Sequence, residues 1–429
     1  MRILEAQNPF STKPAVTSAS PSSTPPSKAL SPVVTGSLLL GSAALAVLCA
    51  SVPMLAAPYH AAMGWMVPWH AGGLPPHDVQ WWITSGLLGL FFVLMALEIR
   101  SEAQPGGTLA SKRAAFLPLV GALGGMVVPG GMAWCLGAFW PGSPGTAGWA
   151  VPTATDAAFT VPVLALCTYR APTGARFSLP LGLRSFIMAL AVFDDLGAII
   201  EIALFYGHHP SLPWLGASLV LITLMVVLGR WGSALPPKGS TAIAALCWAL
   251  SGLLWLLLEK SGVEPTMAGV ALGFCLPWGN AIRAERWLRP VCLLLVVPLF
   301  ALASTAIDMG QLRLPWLCSA PFLGAALGLW LGKPLGITGA VSLARLFMGR
   351  GGDWPRALQG WWLWGGAMVC GIGFTMSLLV ATLAYHGTNL EAARCGILVG
   401  SLLSGGIGFR VLKHGLRVSA HTPLHKDTL

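Results

Sequence analysis

The sequence has few charged residues. Only 9% of its 429 residues are Asp, Glu, Lys or Arg, while 55% are hydrophobic and the mean hydropathy is +0.72. A soluble domain carries about a quarter charged residues, so this chain lacks the side chains to coat a surface in water. The composition speaks against a soluble enzyme, and we predict a non-enzymatic protein that lies mostly in lipid.

Two kinds of motif are also missing. The nine cysteines are scattered without a CxxC pair, which argues against a zinc site or a disulfide framework. No GxxxxGK[ST] loop occurs, so coupling to ATP within this chain is not expected. We therefore predict no cofactor.

The apolar residues are grouped into segments long enough to cross a bilayer, which takes about 20 residues of helix. We predict twelve spans, at 33–57, 81–99, 114–140, 149–169, 179–206, 212–229, 241–258, 266–278, 290–306, 315–343, 361–385 and 392–412. Residues 1–32 are rich in Ser, Pro and Thr and are predicted to form a disordered cytoplasmic tail. Residues 33–412 form the transmembrane domain, and residues 413–429 a second cytoplasmic tail. The first apolar run spans and is not expected to be a cleaved signal peptide.

The distribution of positive charge supports this division. With the N-terminus inside, the connections predicted to be cytoplasmic and the two tails hold all but four of the 25 Lys and Arg residues. The exceptions are Lys260, Arg313 and Arg394 outside, and Lys333 within a span. Both termini are therefore predicted to be cytoplasmic. The net charge of +10 is explained by orientation, so nucleic-acid binding is not expected.

The longest outside connection, residues 58–80, contains His60, His70 and His77. Three histidines can indicate a metal site, but no ligand spacing repeats. We favour a Gly- and Pro-rich hairpin or loop that contacts a partner subunit.

Ionisable side chains within the spans are the strongest functional signal, because each is costly to bury in lipid. Asp194 and Asp195 lie near the middle of the fifth span, and successive helical positions point about 100° apart. One carboxylate can face a watery cavity while the other faces a neighbouring helix. Lys333 is too deep in the tenth span to reach water easily. We predict that it pairs with Asp194 and leaves Asp195 free for a cation; alternatively, Lys333 only neutralises the carbonyl end of a helix.

Two spans contain residues that interrupt a helix. In the fourth span, Asp156 and three threonines lie near Pro152 and Pro162, and in the eleventh span Cys370 to Ser377 reads CGIGFTMS. Both segments are the middle helices of three-helix sets of opposite predicted orientation, as in the inverted repeats of secondary transporters. We predict that Asp156 stabilises the amide end of a broken helix. The alternative is an ordinary cap near the outer surface.

Glu201 follows Asp194 by seven residues, on nearly the same face of the helix and about 10 Å further out. It either extends an acidic path toward the outside or reaches water at the interface. The sequence leaves both readings open.

The chain resembles the NhaA-type sodium/proton antiporters over about residues 33–412. The most specific stretches are VPTATDAAF (151–159), ALAVFDDLGAII (189–200), GKPLGI (332–337) and CGIGFTMS (370–377). Supporting stretches are GLLGLFFVLMALEIR (86–100), GGMVVP (124–129) and GILVGS (396–401). The resemblance implies that spans four and eleven are crossed discontinuous helices. It also implies an acidic funnel open to the inside and a homodimer joined partly through the first outside loop.

The resemblance also implies roles for individual residues. Asp195 matches the main ion- and proton-binding carboxylate, and Asp194 matches its neighbour that pairs with the lysine at Lys333. Thr155 and Asp156 match positions at the fourth-span break. Acidic positions at the funnel mouth that are linked to pH response are matched by Glu98, Glu102 and Glu285.

Several positions depart from the family pattern. Arg286 and Arg289 replace histidines that many members have after the funnel-mouth Glu, and Glu264 replaces a histidine before the eighth span. Thr84 and Ser85 replace an Asn-Asp pair. Because histidine titrates near neutrality, these changes call a familiar pH profile into question, whereas ion exchange itself should survive them.

We expect exchange of Na+ or Li+ for protons across a bacterial inner membrane by competition at buried carboxylates, with a response to membrane potential. Asp195 would carry one proton, and Asp156 or the Asp194–Lys333 pair the other. Two other functions stay open. One is a sensor that keeps the fold without transport, and the other is sodium-coupled transport of an organic anion, for which more cationic lining than Lys333 is expected.

Overall fold

The computed structural model describes residues 31–68, 76–105, 107, 112–170, 176–207, 211–308, 310, 314–347 and 358–421. The first half of these residues forms helices α1 Pro32–Ser51, α2 Pro53–Met63, α3 Val79–Trp81, α4 Leu88–Glu102, α5 Lys112–Phe139, α6 Ala157–Leu166, α7 Leu181–Phe205, α8 Leu212–Ala234 and α9 Pro237–Ser261. The second half forms α10 Met267–Cys275, α11 Trp278–Val291, α12 Val297–Ser304, α13 Leu314–Leu317, α14 Ala320–Leu327, α15 Lys333–Phe347, α16 Gly360–Val369, α17 Phe374–Ala384 and α18 Gly387–His421. Short π-helical turns join α3 to α4, α11 to α12 and α14 to α15.

Several helices, or continuous helical runs, are long and apolar enough to cross a bilayer. In the described part of the chain there are eight, namely Pro32–Ser51, Val79–Glu102, Ala115–Phe139, Leu212–Ala234, Pro237–Ser261, Trp278–Ser304, Ala320–Phe347 and Gly387–Ser419. A ninth is formed if α16 and α17, which meet at a 48° bend, are counted together. The structure is thus a nearly all-helical bundle with eight or nine such spans.

Three of the twelve predicted spans fall outside this count. They contain α6 and α10, which have only 10 and 9 residues, and α7, which carries four ionisable side chains. The total of twelve therefore stays a prediction.

Three local predictions differ from the structure. The first helix ends at Ser51 instead of continuing to residue 57. A second helix, α2, begins at Pro53, where proline is well placed in the first turn, and it occupies part of the predicted outside loop. The two strands β1 Thr168–Arg170 and β2 Arg176–Ser178 form an antiparallel pair, so the chain is not strictly all-α.

The predicted tails fall mainly outside the described residues. Residues 1–30, which belong to the segment predicted to be disordered, and residues 422–429 lie outside them. α18 extends to His421, which is beyond the boundary predicted at residue 412.

Close packing of α5 against α15 determines the position of Lys333, the lysine of the tenth predicted span. A Cβ added at Gly124 would overlap the Gly336 carbonyl, and a Cβ at Gly336 would overlap the Gly124 carbonyl. Small residues allow this approach of two backbones, which is a common way for helices to associate in lipid. The contact lies one turn from Lys333, at the start of α15, and fixes the position of its backbone.

Candidate functional site

The two segments predicted to interrupt a helix both contain non-helical residues, here called the first and second breaks, and these contact each other. Residues 151–156 are not helical before α6 begins, and residues 370–373 separate α16 from α17. The Asp156 N–H donates to the Ile372 carbonyl at 2.7 Å, and the Thr155 hydroxyl oxygen lies 2.8 Å from the Cys370 carbonyl. Each break thus satisfies backbone groups that the other leaves free, as an irregular segment within a membrane requires.

Asp156 lies at the N-termini of two helices. Its Oδ1 accepts a hydrogen bond from the Ala158 N–H at 2.9 Å, which caps α6. Its Oδ2 accepts from the Thr375 N–H at 2.9 Å and from the Thr375 hydroxyl at 2.7 Å, in the first turn of α17. The predicted carboxylate at the amide end of a broken helix is confirmed. Asp156 is only 2% exposed and is the N-cap residue of α6.

Lys333 and Asp194 form the predicted pair. Lys333 Nζ lies 3.0 Å from Asp194 Oδ2, and both side chains are fully buried. Lys333 also donates to the Thr153 carbonyl within the first break, so it contacts a backbone carbonyl in addition to its acid partner. Thr155 adds a hydroxyl oxygen 2.5 Å from Asp194 Oδ2, whereas Asp194 Oδ1 is buried without a hydrogen bond.

Asp195 follows Asp194 on α7 but takes no part in this ion pair. It is 9% exposed, and among the described residues its carboxylate makes no side-chain hydrogen bond or ion pair. The structure therefore separates two neighbouring acids on α7, one paired with a lysine and one with both oxygens available.

The predicted funnel-mouth residues are partly joined by an arginine. Arg289 on α11 lies 3.1 Å from the Glu98 carboxylate on α4 and 2.8 Å from Glu285, one turn earlier on its own helix. Glu102 is the last residue of α4. Arg289, one of the residues that replace histidine, therefore links two of the three predicted pH-response acids.

Glu264 lies in the connection between α9 and α10. It is 7% exposed, and its Oε1 accepts a hydrogen bond from the Thr266 hydroxyl at 3.2 Å. Burial raises the pKa of the Glu264 carboxyl from its ordinary 4.5 to about 7. A group that titrates near neutrality thus stands where some family members have histidine.

The histidines of the first outside connection do not form a described metal site. His77 stacks on Trp81 with ring centroids 3.6 Å apart and lies 3.5 Å from Glu259, while His70 is outside the described residues. No group of three potential His, Cys, Asp or Glu ligands occurs in the described ranges.

Some contacts at the site were not predicted from the sequence. Thr375 donates both its N–H and its hydroxyl to Asp156. Thr153 contacts Lys333 through its carbonyl and Glu201 through its hydroxyl. The clustering of threonines beside acidic residues was the sequence signal for these contacts. It could not identify the partner of each threonine, because the partner depends on how separate helices are aligned.

The fold and the site together define a class of protein. The structure has apolar helices of spanning length and two contacting breaks, and Lys333, Asp194 and Asp156 are buried where the breaks meet. Broken helices that hold ionisable groups within a membrane are characteristic of secondary transporters.

The chain belongs to the Na+/H+ antiporter 1 family, whose model matches residues 29–412. It is 39% identical over 390 residues to "Na(+)/H(+) antiporter NhaA" of Shewanella sp. (strain MR-4), covering 87% of this chain and 93% of that protein. It is 38% identical over 396 residues to "Na(+)/H(+) antiporter NhaA 2" of Pseudomonas syringae pv. syringae (strain B728a), covering 88% and 92%. The protein is therefore a multi-pass inner-membrane protein of a sodium/proton antiporter family.

One solved structure has a similar fold. It is the sodium proton antiporter MjNhaP1 from Methanocaldococcus jannaschii at pH 8, with a TM-score of 0.50 and 17% sequence identity. The match covers 90% of this chain and 96% of that one. At this identity the likeness concerns the fold alone.

Proposed function

We propose that this protein exchanges Na+ or Li+ for protons across the inner membrane, by competition for the carboxylate of Asp195. The observation that carries the proposal is the contrast between the two acids of α7. Asp194 is held by Lys333, while Asp195 keeps both oxygens free and some exposure. A carboxylate in this setting can take either a proton or a hard cation, and both cannot occupy it together.

Oxygen atoms around Asp195 suit a small cation as substrate. Asp194 Oδ1 is buried and has no hydrogen-bond donor, so it is available as a second ligand. The hydroxyl of Thr155 already contacts the other oxygen of Asp194 and orients this carboxylate. Hard monovalent cations favour such oxygen ligands over nitrogen or sulfur.

The exchange moves net charge if two protons are released for each monovalent cation that binds, so a second proton site is needed. We assign it to the Asp194–Lys333 pair, because Asp156 accepts three hydrogen bonds and is better suited to remain ionised. When a cation occupies Asp195 and Asp194 Oδ1, it competes with the ammonium group of Lys333 for the same carboxylate. Lys333 then releases a proton, and the site loses two protons for one cation gained.

The assembly and orientation belong to the same proposal. α2 has no buried residues, Met54 within it is 87% exposed, and Trp65 just after it is 60% exposed. An apolar helix with no buried side chains is suited to contact a second copy, in line with a homodimer formed through the first outside loop. We place both termini in the cytoplasm, crossed helices at the two breaks, and the funnel mouth of Glu98 and Glu285 on the inside.

Flux measurements in vesicles test the proposed exchange. Purified protein is reconstituted, a proton gradient is imposed, and proton movement is followed on addition of Na+, Li+ or K+ at several pH values. We expect Na+ and Li+ to collapse the gradient, and Asp195→Asn to remove this response. Asp78→Asn is the control, because the Asp78 carboxylate caps α3 and, among the described residues, contacts none of the site residues.

Two outcomes would overturn the proposal. No response to any of the cations at any pH favours the sensor function, in which the fold is kept without transport. Retained exchange in Asp195→Asn contradicts the assignment of the site.

A further inference from the structure

Glu201 is buried next to the first helix break. Its side chain is 7% exposed, so the reading in which its head reaches water does not describe this structure. Its Oε2 lies 2.6 Å from the hydroxyl oxygen of Thr153. A buried carboxyl group in lipid that the exchange at Asp195 does not use requires its own explanation.

The hydrogen bonds around Thr153 identify the protonation state that fits Glu201. The Thr153 hydroxyl oxygen also lies 2.8 Å from the Ala150 carbonyl, yet a hydroxyl has only one proton to donate. If Glu201 is ionised, both neighbours are acceptors and one contact lacks a proton. If Glu201 is neutral, its O–H donates to Thr153, and the Thr153 hydroxyl donates to Ala150, so that both contacts are hydrogen bonds.

Thr153 also connects Glu201 to the ion pair at the centre of the molecule. Its carbonyl accepts a hydrogen bond from Lys333, which pairs with Asp194. Glu201 and Asp194 are two helical turns apart on α7, about 10 Å along its axis. The charges of Lys333 and Asp194 both act on Glu201, and the nearby titratable Tyr206 follows on the same chain just after α7 ends.

We propose that Glu201 is a further proton-binding site of this transporter, placed between the Asp194–Lys333 pair and the membrane side at which α7 ends. The inference rests on the proposed exchange function and extends it. Loss of the proton from Glu201 to that side leaves a negative charge near Lys333 and removes one hydrogen bond at Thr153. The attraction of Lys333 for Asp194 is then weakened, and Asp194 becomes a better ligand for the cation.

Infrared spectroscopy tests the proton at Glu201 without relying on transport. A neutral carboxyl group has a C=O stretching band distinct from that of a carboxylate. We expect the spectrum of Glu201→Gln at neutral pH to lack one neutral-carboxyl band of the unmodified protein. The proposal is overturned if the substitution removes a carboxylate band instead.

A matched control and a second variant support this measurement. Glu259→Gln is the control, because Glu259 lies near the same membrane side as the end of α7. Two residues after Glu259, the Ser261 carbonyl accepts a hydrogen bond from the N–H of Ser211, at the start of α8. It should leave the assigned band unchanged. If Glu201→Gln does not insert, Thr153→Val, which removes the acceptor of the Glu201 proton, should shift the same band, and Thr153→Ser should restore it. An unshifted band in Thr153→Val contradicts the proposed hydrogen bond.

Transport gives the functional readout. With Glu201 held in a neutral form by Glu201→Gln, we expect the KM for Na+ at alkaline pH to rise about fivefold or more, in the range typical of coupled sites. The difference should fade at acidic pH, where the unmodified Glu201 is also neutral. A pH-independent change, or none, overturns the coupling. If the unmodified protein does not exchange ions at all, the proposed function fails while the infrared result still decides whether Glu201 holds a proton.

Discussion

Lys333 and Asp194 form a salt bridge between two side chains that have no exposed surface, with 3.0 Å between Nζ and Oδ2. The bridge joins the start of α15 to the middle of α7, and Lys333 reaches the first helix break as well. Breaking a buried pair leaves an uncompensated charge, which costs about 3–5 kcal/mol, whereas replacing both partners is often neutral.

Lys333→Met is therefore expected to lower the thermal stability of the purified protein by several kcal/mol, because Asp194 loses its counter-charge. The double variant Lys333→Met with Asp194→Asn should recover most of that loss. Melting temperatures of the two single variants, the double variant and the unmodified protein in one detergent give the coupling energy. Additive losses would contradict a direct interaction.

Thr375 connects the second break to Asp156 through both its N–H and its hydroxyl. Thr375→Val keeps the shape but removes a hydrogen bond to a charged group, which is worth about 1.5–3 kcal/mol. We expect a lower melting temperature for Thr375→Val and a smaller change for Thr375→Ser, which keeps the hydroxyl. Equal losses for the two variants would show that packing of the methyl group matters instead.

Arg289 lies between Glu98 and Glu285 with 48% of its side chain exposed, so its contribution to stability is small, about 1 kcal/mol or less. Its expected effect is on pH dependence. Arg289→His introduces a group that titrates near pH 6.5 beside two acids, and exchange should then vary more strongly between about pH 6 and 8. The same substitution at Arg286, for which no ion pair is seen in the described structure, is the control. Identical profiles for the two variants would count against a role for Arg289 at the funnel mouth.

The raised pKa of the Glu264 carboxyl predicts how the stability of the protein depends on pH. Burial raises the pKa of its carboxyl from 4.5 to about 7, so between these values the folded protein binds more protons than the unfolded chain. Stability therefore falls as pH rises from about 4.5 to 7, and the cost of an ionised Glu264 is fully present above that range. Glu264→Gln lacks this cost and should gain in melting temperature over the unmodified protein as pH increases from 5 to 8. The difference in the free energy of unfolding between Glu264→Gln and the unmodified protein is expected to grow by up to about 3 kcal/mol over this pH range. A difference that does not change with pH would contradict the raised pKa.

The sequence predicted the parts of the site that follow from chemistry within one segment. Proline and threonine near Asp156 predicted the first break, and glycines predicted the second. Lys333 was predicted to seek an acid at similar depth, because an isolated charge is costly in lipid.

Features that depend on the alignment of separate helices were not predictable in this way. The contact of Glu201 with Thr153 joins the end region of α7 to the first break, and neither segment determines the rotation of the other. The short antiparallel strand pair at Tyr169 and Phe177 was missed because three-residue strands have no detectable periodicity. The separate helix α2 was missed because its start at Pro53 was included in the first predicted span and its second half, from Pro58 onward, was read as part of the outside loop.

The most direct test of competition at Asp195 is the release of protons when Na+ is added to purified protein in weakly buffered detergent solution. Competition predicts that Na+ releases protons at alkaline pH, that K+ releases fewer, and that Asp195→Asn removes the release while its melting temperature stays close to that of the unmodified protein. Sodium binding without proton release, or undiminished release in Asp195→Asn, would contradict the account.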